Sequence, residues 1–229
     1  APACAAFIAS VVEAVFPPDE VCVVQGDVAV AVALLEQPWN HIFFTGSPGV
    51  GSKVMAAASK YLASVTLELG GKSPVMVHEA YGAERAGRRV AWAKGLNAGQ
   101  VCIAPDYALV PAAQREDFIR GFKAGVAQHY GATPSTNPDW VRIIQDRHWD
   151  RLNDWLEEAK SEGAQVWQPY APERERRYFP PTLVWDAPEH LQSAAVKFLV
   201  PFCRCLRTVP PTRRWLGSTQ DRSRLCSTC

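Results

Sequence analysis

Apolar positions along this chain switch repeatedly between helical and strand spacing. Ala5 to Phe16 is an Ala-rich apolar stretch that reads as helix, and Pro17-Pro18 stops it. Val21 to Val24 is a short β-branched run closed by Gly26 and predicts a buried strand. Asp27 is placed to cap a helix running to about Gln37. His41 to Phe44 predicts a second strand, Gly46 to Gly51 a glycine-bearing turn, Ser52 to Leu62 a helix and Val65 to Leu69 a third strand. Such alternation argues for a parallel sheet with helices on its faces. Further on, Val75 to Val77, Tyr107 to Val110, Gln165 to Gln168 and Thr182 to Trp185 read as strands. Ala83 to Leu96, Arg115 to His129 and Asp146 to Gly163 read as helices, and Gly131 to Asp139 as a polar connection. From about Ser193 the pattern stops. Residues 197 to 229 are rich in Arg, Pro, Cys, Ser and Thr and show neither periodicity, so a disordered or misfitting tail is expected there.

Composition adds bounds rather than chemistry. The 229 residues are 48% hydrophobic and 21% charged, which suits one large or two small globular domains. A formal net charge of +1 gives no reason to expect nucleic acid or an anionic membrane as partner, and no apolar run is long enough to span a bilayer. Ala1 to Ala6 lack the basic start and apolar core of a secretion signal, and no initiating Met is present, so the chain reads as beginning partway through a longer protein. Seven Cys at irregular spacing form no disulfide framework, so a reducing, cytoplasmic setting is expected. His41 enters a strand, while His129 and His148 lie on helices. None has metal-ligand spacing, and structural or solvated roles are expected.

Three segments carry candidate chemistry. Thr45 to Gly51 (TGSPGVG) joins a strand to a helix, where glycines admit a ligand and helix amides offer an anion site. It is not a P-loop, because Ser52 stands where Lys is required, and a bare connection explains it as well. Leu67 to Pro74 (LELGGKSP) sets the Glu68 carboxylate at a strand end beside two glycines. That could be a general base, although alone it fits an ordinary surface turn better. Asn97 to Pro105 (NAGQVCIAP) sets Cys102 in a turn between helix and strand. That suits an exposed nucleophile, although a lone Cys is more often a small buried hydrophobe.

Order and spacing join the three. FTGSPGVG, then VTLELGGKSP, then LNAGQVCIAPDYALV closely resembles the aldehyde dehydrogenase superfamily, and most nearly its class 3 and coniferyl aldehyde dehydrogenase branch. KVMAAASKYL, IIQDRHWDRL and RYFPPTLVWDAP support the resemblance, which runs from about Ala3 to Leu191. It implies an α/β fold: part of a Rossmann-like cofactor domain over residues 1–66 and most of an α/β catalytic domain over 67–192, with 193–229 an atypical tail. It implies NAD(P)-dependent oxidation of an aldehyde to a carboxylic acid. Cys102 matches the nucleophile that forms a thiohemiacetal and then a thioester, and its backbone N–H matches half of an oxyanion hole. Glu68 matches the base that activates water. Gly46, Ser47 and Gly51 match the loop under the cofactor pyrophosphate, and Leu69 and Gly70 the segment beside the nicotinamide. NAD and NADP both remain open as cofactor. The implied partner is a small-molecule aldehyde, and no metal is expected. Intact relatives homo-oligomerise through a C-terminal strand.

The chain also departs from the family. Ala1-Pro2-Ala3 matches the point just after a Lys-Pro-Ser-Glu segment that contacts the adenosine ribose, and the Asn that donates to the oxyanion has no counterpart. Asn40 directly precedes FTGS and reads as a loop residue. After Leu191 the expected Glu-Ile-Phe-Gly-Pro is replaced by VKFLVPFCRCLRTVPP. Permitted codons for Lys197 to Phe202, read one base earlier, encode EIFGPF and a family-like continuation, which suggests a frameshifted tail. Weak or absent turnover by this fragment is therefore expected. The alternative is a non-catalytic remnant, or an interaction protein stabilised by zinc on Cys203, Cys205, Cys226 and Cys229, whose types and spacing allow it.

Overall fold

The computed structural model describes residues 2–131, 134–188 and 202–206, the last group by backbone alone. The chain divides into two compact units, Ala1–Leu69 and Gly70–Cys229.

The first unit runs α1 (Pro2–Val15), α2 (Val28–Leu35), β1 (His41–Thr45), α3 (Pro48–Ser59), β2 (Ser64–Glu68). β1 and β2 pair in parallel with α3 as the crossover, in a register that sets His41 beside Ser64 and Thr45 beside Glu68. His41 bonds across this ladder to the hydroxyls of Ser64 (2.7 Å) and Thr66 (3.2 Å), a structural role. Asp27 caps α2 as expected, its carboxylate accepting the Ala29 N–H at 2.9 Å. Val21 to Val24 is not a strand. A β-branched run becomes one only when its main chain finds a ladder, and this stretch pairs with neither β1 nor β2. Among the described residues of this unit only Ala9, Gly51, Val54 and Ala58 are buried. Phe43, in the middle of β1, is 66% exposed and Leu62 is 93% exposed. Parallel sheets ordinarily bury both faces.

The second unit contains β3 (Ser73–Met76), α4 (Ala83–Gly95), β4 (Pro105–Leu109), α5 (Arg115–Tyr130), α6 (Asp146–Ser161), β5 (Gln165–Trp167), β6 (Thr182–Trp185) and β7 (Phe202–Leu206). Its sheet has the order β3-β4-β7-β6-β5, parallel throughout except for the antiparallel edge strand β5. β7 lies within the stretch whose sequence shows neither helical nor strand periodicity. Phe202–Leu206 fills the slot between β4 and β6, pairing with both and so satisfying the inner ladder of each. The other tail residues named above, including Cys226 and Cys229, lie outside the described residues.

Alternate residues of one strand face opposite sides. Leu183 packs with Val90, Phe118 and Phe122, from α4 and α5. Val184 packs with Trp149, Leu152 and Leu156, from α6. The sheet is thus covered on both faces. α4 and α5 approach so closely that a Cβ at Gly121 would run into the Glu84 carbonyl, and one at Gly87 into the Phe118 carbonyl. Among the described residues no helix is long and apolar enough to cross a membrane.

Candidate active site

In the first unit the candidate residues gather at the carboxyl ends of β1 and β2, the end at which parallel α/β sheets bind ligands. α3 starts at Pro48, earlier than the expected Ser52, because Ser47 caps it and Pro48 suits the first helical position. The Ser47 side chain accepts the Val50 N–H at 3.4 Å, and its carbonyl accepts the Gly51 N–H at 2.9 Å. Hence the glycine segment is largely the first turn of a helix whose positive end carries no acidic residue. The Gly46 N–H donates to the Glu68 carbonyl at 3.0 Å, extending the ladder by one bond and tying the loop to the end of β2. A Cβ at Gly46 would sit 2.5 Å from the Phe44 ring, whereas one at Gly49 would meet nothing within 4 Å. The Gly49 side of the helix start is therefore open to a ligand. Gly51 is buried, and a Cβ there would come within 2.9 Å of the Leu69 side chain. The Glu68 side chain is exposed at this end. Gly46, Ser47, Gly51, Glu68 and Leu69 are thus brought together.

Gly70 and Cys102 belong to the second unit. Cys102 is exposed, in the turn between α4 and β4, with Ile103 exposed beside it and Ala104 buried. α4 does not run straight into this turn. Asn97, Ala98 and Gly99 have φ of +50°, +51° and +72°, three successive left-handed residues. Left-handed backbone is costly for Ala, and a chain keeps it only where its surroundings hold it. Ala98 is fully buried with Trp140 and Tyr178. The turn is also held by hydrogen bonds. The Asn97 carboxamide donates to the Gln100 carbonyl at 3.1 Å, and the Ala104 N–H donates to the Val101 carbonyl at 3.1 Å. The Gln100 carboxamide donates to the Asn97 and Arg142 carbonyls, both at 3.2 Å, and accepts the Ile144 N–H at 3.0 Å. Near the start of β3, Lys72 pairs with the buried Asp106 at 3.4 Å, fastening the Gly70-Gly71 segment to the strand that follows Cys102.

Residues 1–207 match the aldehyde dehydrogenase family. The chain belongs to that family. Its curated relatives include a probable coniferyl aldehyde dehydrogenase of Pseudomonas aeruginosa, 40% identical over 191 residues, which cover 83% of this chain and 40% of that protein. A dimeric NADP-preferring aldehyde dehydrogenase of Rattus norvegicus is 39% identical over 164 residues, covering 72% of this chain and 35% of that one. Among solved structures, the substrate-bound state of Staphylococcus aureus AldH matches with a TM-score of 0.81 at 31% identity, over 91% of this chain and 45% of that chain. The chain therefore spans about two fifths of the length of the curated relatives it matches. The family match continues past Leu191 to residue 207, across the stretch where the sequence departs from the expected phrase and where β7 forms.

Sequence reasoning gave no role to Gln100, Asn97 or the Lys72–Asp106 pair. Gln100 stood in the quoted phrase, two residues before the thiol. Its reach was hidden because its partners lie 42 and 44 positions downstream. Among the described residues no group of three or more His, Cys, Asp or Glu side chains could hold a metal.

Proposed function

We propose that this chain carries the nucleophile, the general base and the pyrophosphate loop of an NAD(P)-dependent aldehyde dehydrogenase. Residues 1–69 serve as part of the cofactor domain and the second unit as most of the catalytic domain. The single observation that supports this best is the exposed Cys102 in a turn held open by buried and hydrogen-bonded neighbours, in a chain of this family.

The α3 start fits a dinucleotide. It offers the positive end of a helix without a competing acid, and open space over Gly49. Gly46, Ser47 and Gly51 would hold the pyrophosphate, with Leu69 and Gly70 beside the nicotinamide. The cofactor is NAD or NADP. When bound, it supplies the acceptor for the aldehydic hydride.

The Cys102 thiolate adds to the aldehyde carbonyl carbon, forming the C–S bond of a thiohemiacetal, and the Cys102 N–H donates to the developing oxyanion. Loss of hydride leaves a thioester on Cys102. Glu68 takes a proton from water as that water attacks the thioester. The C–S bond then breaks, releasing the carboxylic acid and restoring the thiol. A thiol suits both halves, since it attacks well and leaves well.

Turnover by this chain alone is expected to be slow, because the cofactor side rests on a two-stranded sheet with Phe43 in water. The test therefore traps the intermediate rather than counting product. Glu68→Gln protein is incubated with an aldehyde and either nucleotide, and its peptides are weighed. An acyl group on Cys102, absent from Cys4 and Cys22 and shorter-lived in the unsubstituted protein, is the expected result. Equal modification of all three thiols, which are all exposed, would end the proposal.

A further inference from the structure

We propose that Gln100 is the positioning residue for Cys102, a latch that fastens the nucleophile's turn to a segment over forty residues downstream. This rests on the reading of Cys102 as nucleophile and adds to it what holds the thiol in place.

The turn's own conformation does not hold itself. Asn97 and Ala98 are L residues with φ near +50°, and Cys102 itself is exposed and outside the core. Beside the bonds within the turn, fastenings to distant segments oppose relaxation. One is apolar, Ala98 packed with Trp140 and Tyr178. Another is the Gln100 carboxamide. Its NH₂ donates to a carbonyl on each side of the gap, Asn97 within the turn and Arg142 across it. Its oxygen accepts the Ile144 N–H. One planar group thus spends both donors and its acceptor on backbone, and no shorter or aliphatic side chain reproduces that set.

A latch holds only if its catch is fixed, and residues 140–144 are. The buried Trp140 indole donates to the Phe179 carbonyl at 3.2 Å. The Ile143 N–H donates to the Arg177 carbonyl at 2.9 Å, and the Arg177 guanidinium donates back to the Ile144 carbonyl at 2.8 Å. The Arg142 guanidinium lies over the Tyr178 ring, 5.3 Å from its centre. The Trp149 indole on α6 donates to the Tyr178 carbonyl at 2.9 Å. Residues 140–144 are therefore bonded to 177–179, and 177–179 to α6. Through Gln100 that frame reaches the turn bearing the thiol. This gives a physical role to two phrases that only accompanied the motifs in the sequence: IIQDRHW supplies Ile143 and Ile144 of the catch and Trp149 of its support, and RYF supplies the residues to which both are bonded.

The test reads the thiol directly, without cofactor. In p-nitrophenyl acetate the Cys102 thiolate attacks the ester carbonyl, the bond to p-nitrophenolate breaks, and an acetyl thioester remains on sulfur, the thiol proton going to solvent. The burst amplitude counts correctly folded molecules, and the burst rate reads how well the sulfur is placed. The full chain is compared with Cys102→Ser, Gln100→Ala and Gln100→Glu. A burst is expected that Cys102→Ser lacks. Gln100→Ala should keep the amplitude and the ester concentration at half-saturation while its rate constant falls about tenfold to a hundredfold, the scale of a misplaced reacting group. Gln100→Glu keeps an acceptor for Ile144 but sets an acceptor-only oxygen against the Asn97 and Arg142 carbonyls, so its rate should also fall. It also stands in if the alanine variant fails to fold. An unchanged rate in both Gln100 variants, or a loss of amplitude alone, would overturn the positioning role and leave the nucleophile standing. A parent chain with no Cys102-dependent burst would overturn both.

Discussion

At the scale of single residues, Glu68 and Cys102 carry the proposal, and both stand on segments that local chemistry alone left ambiguous. Glu68 looked like a turn residue because its meaning depends on β1 beside it. Only the parallel pairing sets it at the same end as the glycine loop. Ala98 was unreadable for a different reason, since nothing about an alanine announces a left-handed backbone. His148 offers a residue-scale prediction. Burial, with Arg151 and Arg147 nearby, pushes its imidazole below the ordinary value of 6.5. The folded chain thus disfavours the charged form. The stabilisation is complete above the unfolded pKa and is lost as pH falls through and below it toward the folded value. Melting temperature should therefore drop more steeply between pH 7 and pH 5 for the parent than for His148→Gln. Parallel curves would show that His148 is not among the groups responsible.

Among elements, the long periodic helices were the most legible. α4, α5 and α6 fall within a residue or two of where the pattern set them, because each presents an apolar stripe to the sheet. Short segments were less so. Val21 to Val24 had strand composition but lacked a neighbour. The glycine segment looked like a turn although Ser47 and Pro48 already spelled a helix start. The contact between α4 and α5 yields a prediction that belongs to this scale. Gly121→Ala drives a methyl into the Glu84 backbone, where no flexible side chain can yield. The helices must part, at a cost of about 1–3 kcal/mol for an overpacked core, which would be read as a lowered urea midpoint at unchanged slope. A midpoint within error of the parent would show that the pair separates freely. Since α4 leads into the Cys102 turn, the same variant should also slow acylation of that thiol.

Across the whole molecule the two units differ in how well they bury what they contain. The second has helices on both faces of a five-stranded sheet and cores built on Phe118, Phe122, Leu152 and Leu156. The first has, among its described residues, two strands and four buried residues. Two-stranded sheets are marginal in water. Amide hydrogen exchange should therefore run much faster in β1 and β2 than in β4 and β6, and comparable protection in both would contradict this description. The alternation of strand and helix made the α/β class and the parallel pairing legible from the start. The order of strands was not, because β7 lies beyond the point where the pattern ends and still takes a place inside the sheet. That placement bears on how the protein is born. A ribosome delivers Phe202–Leu206 after every other described segment, yet this strand is the keystone between β4 and β6. Until it emerges, the nascent polypeptide holds two halves of an arch with open inner edges. The sheet can close only once synthesis has passed residue 206.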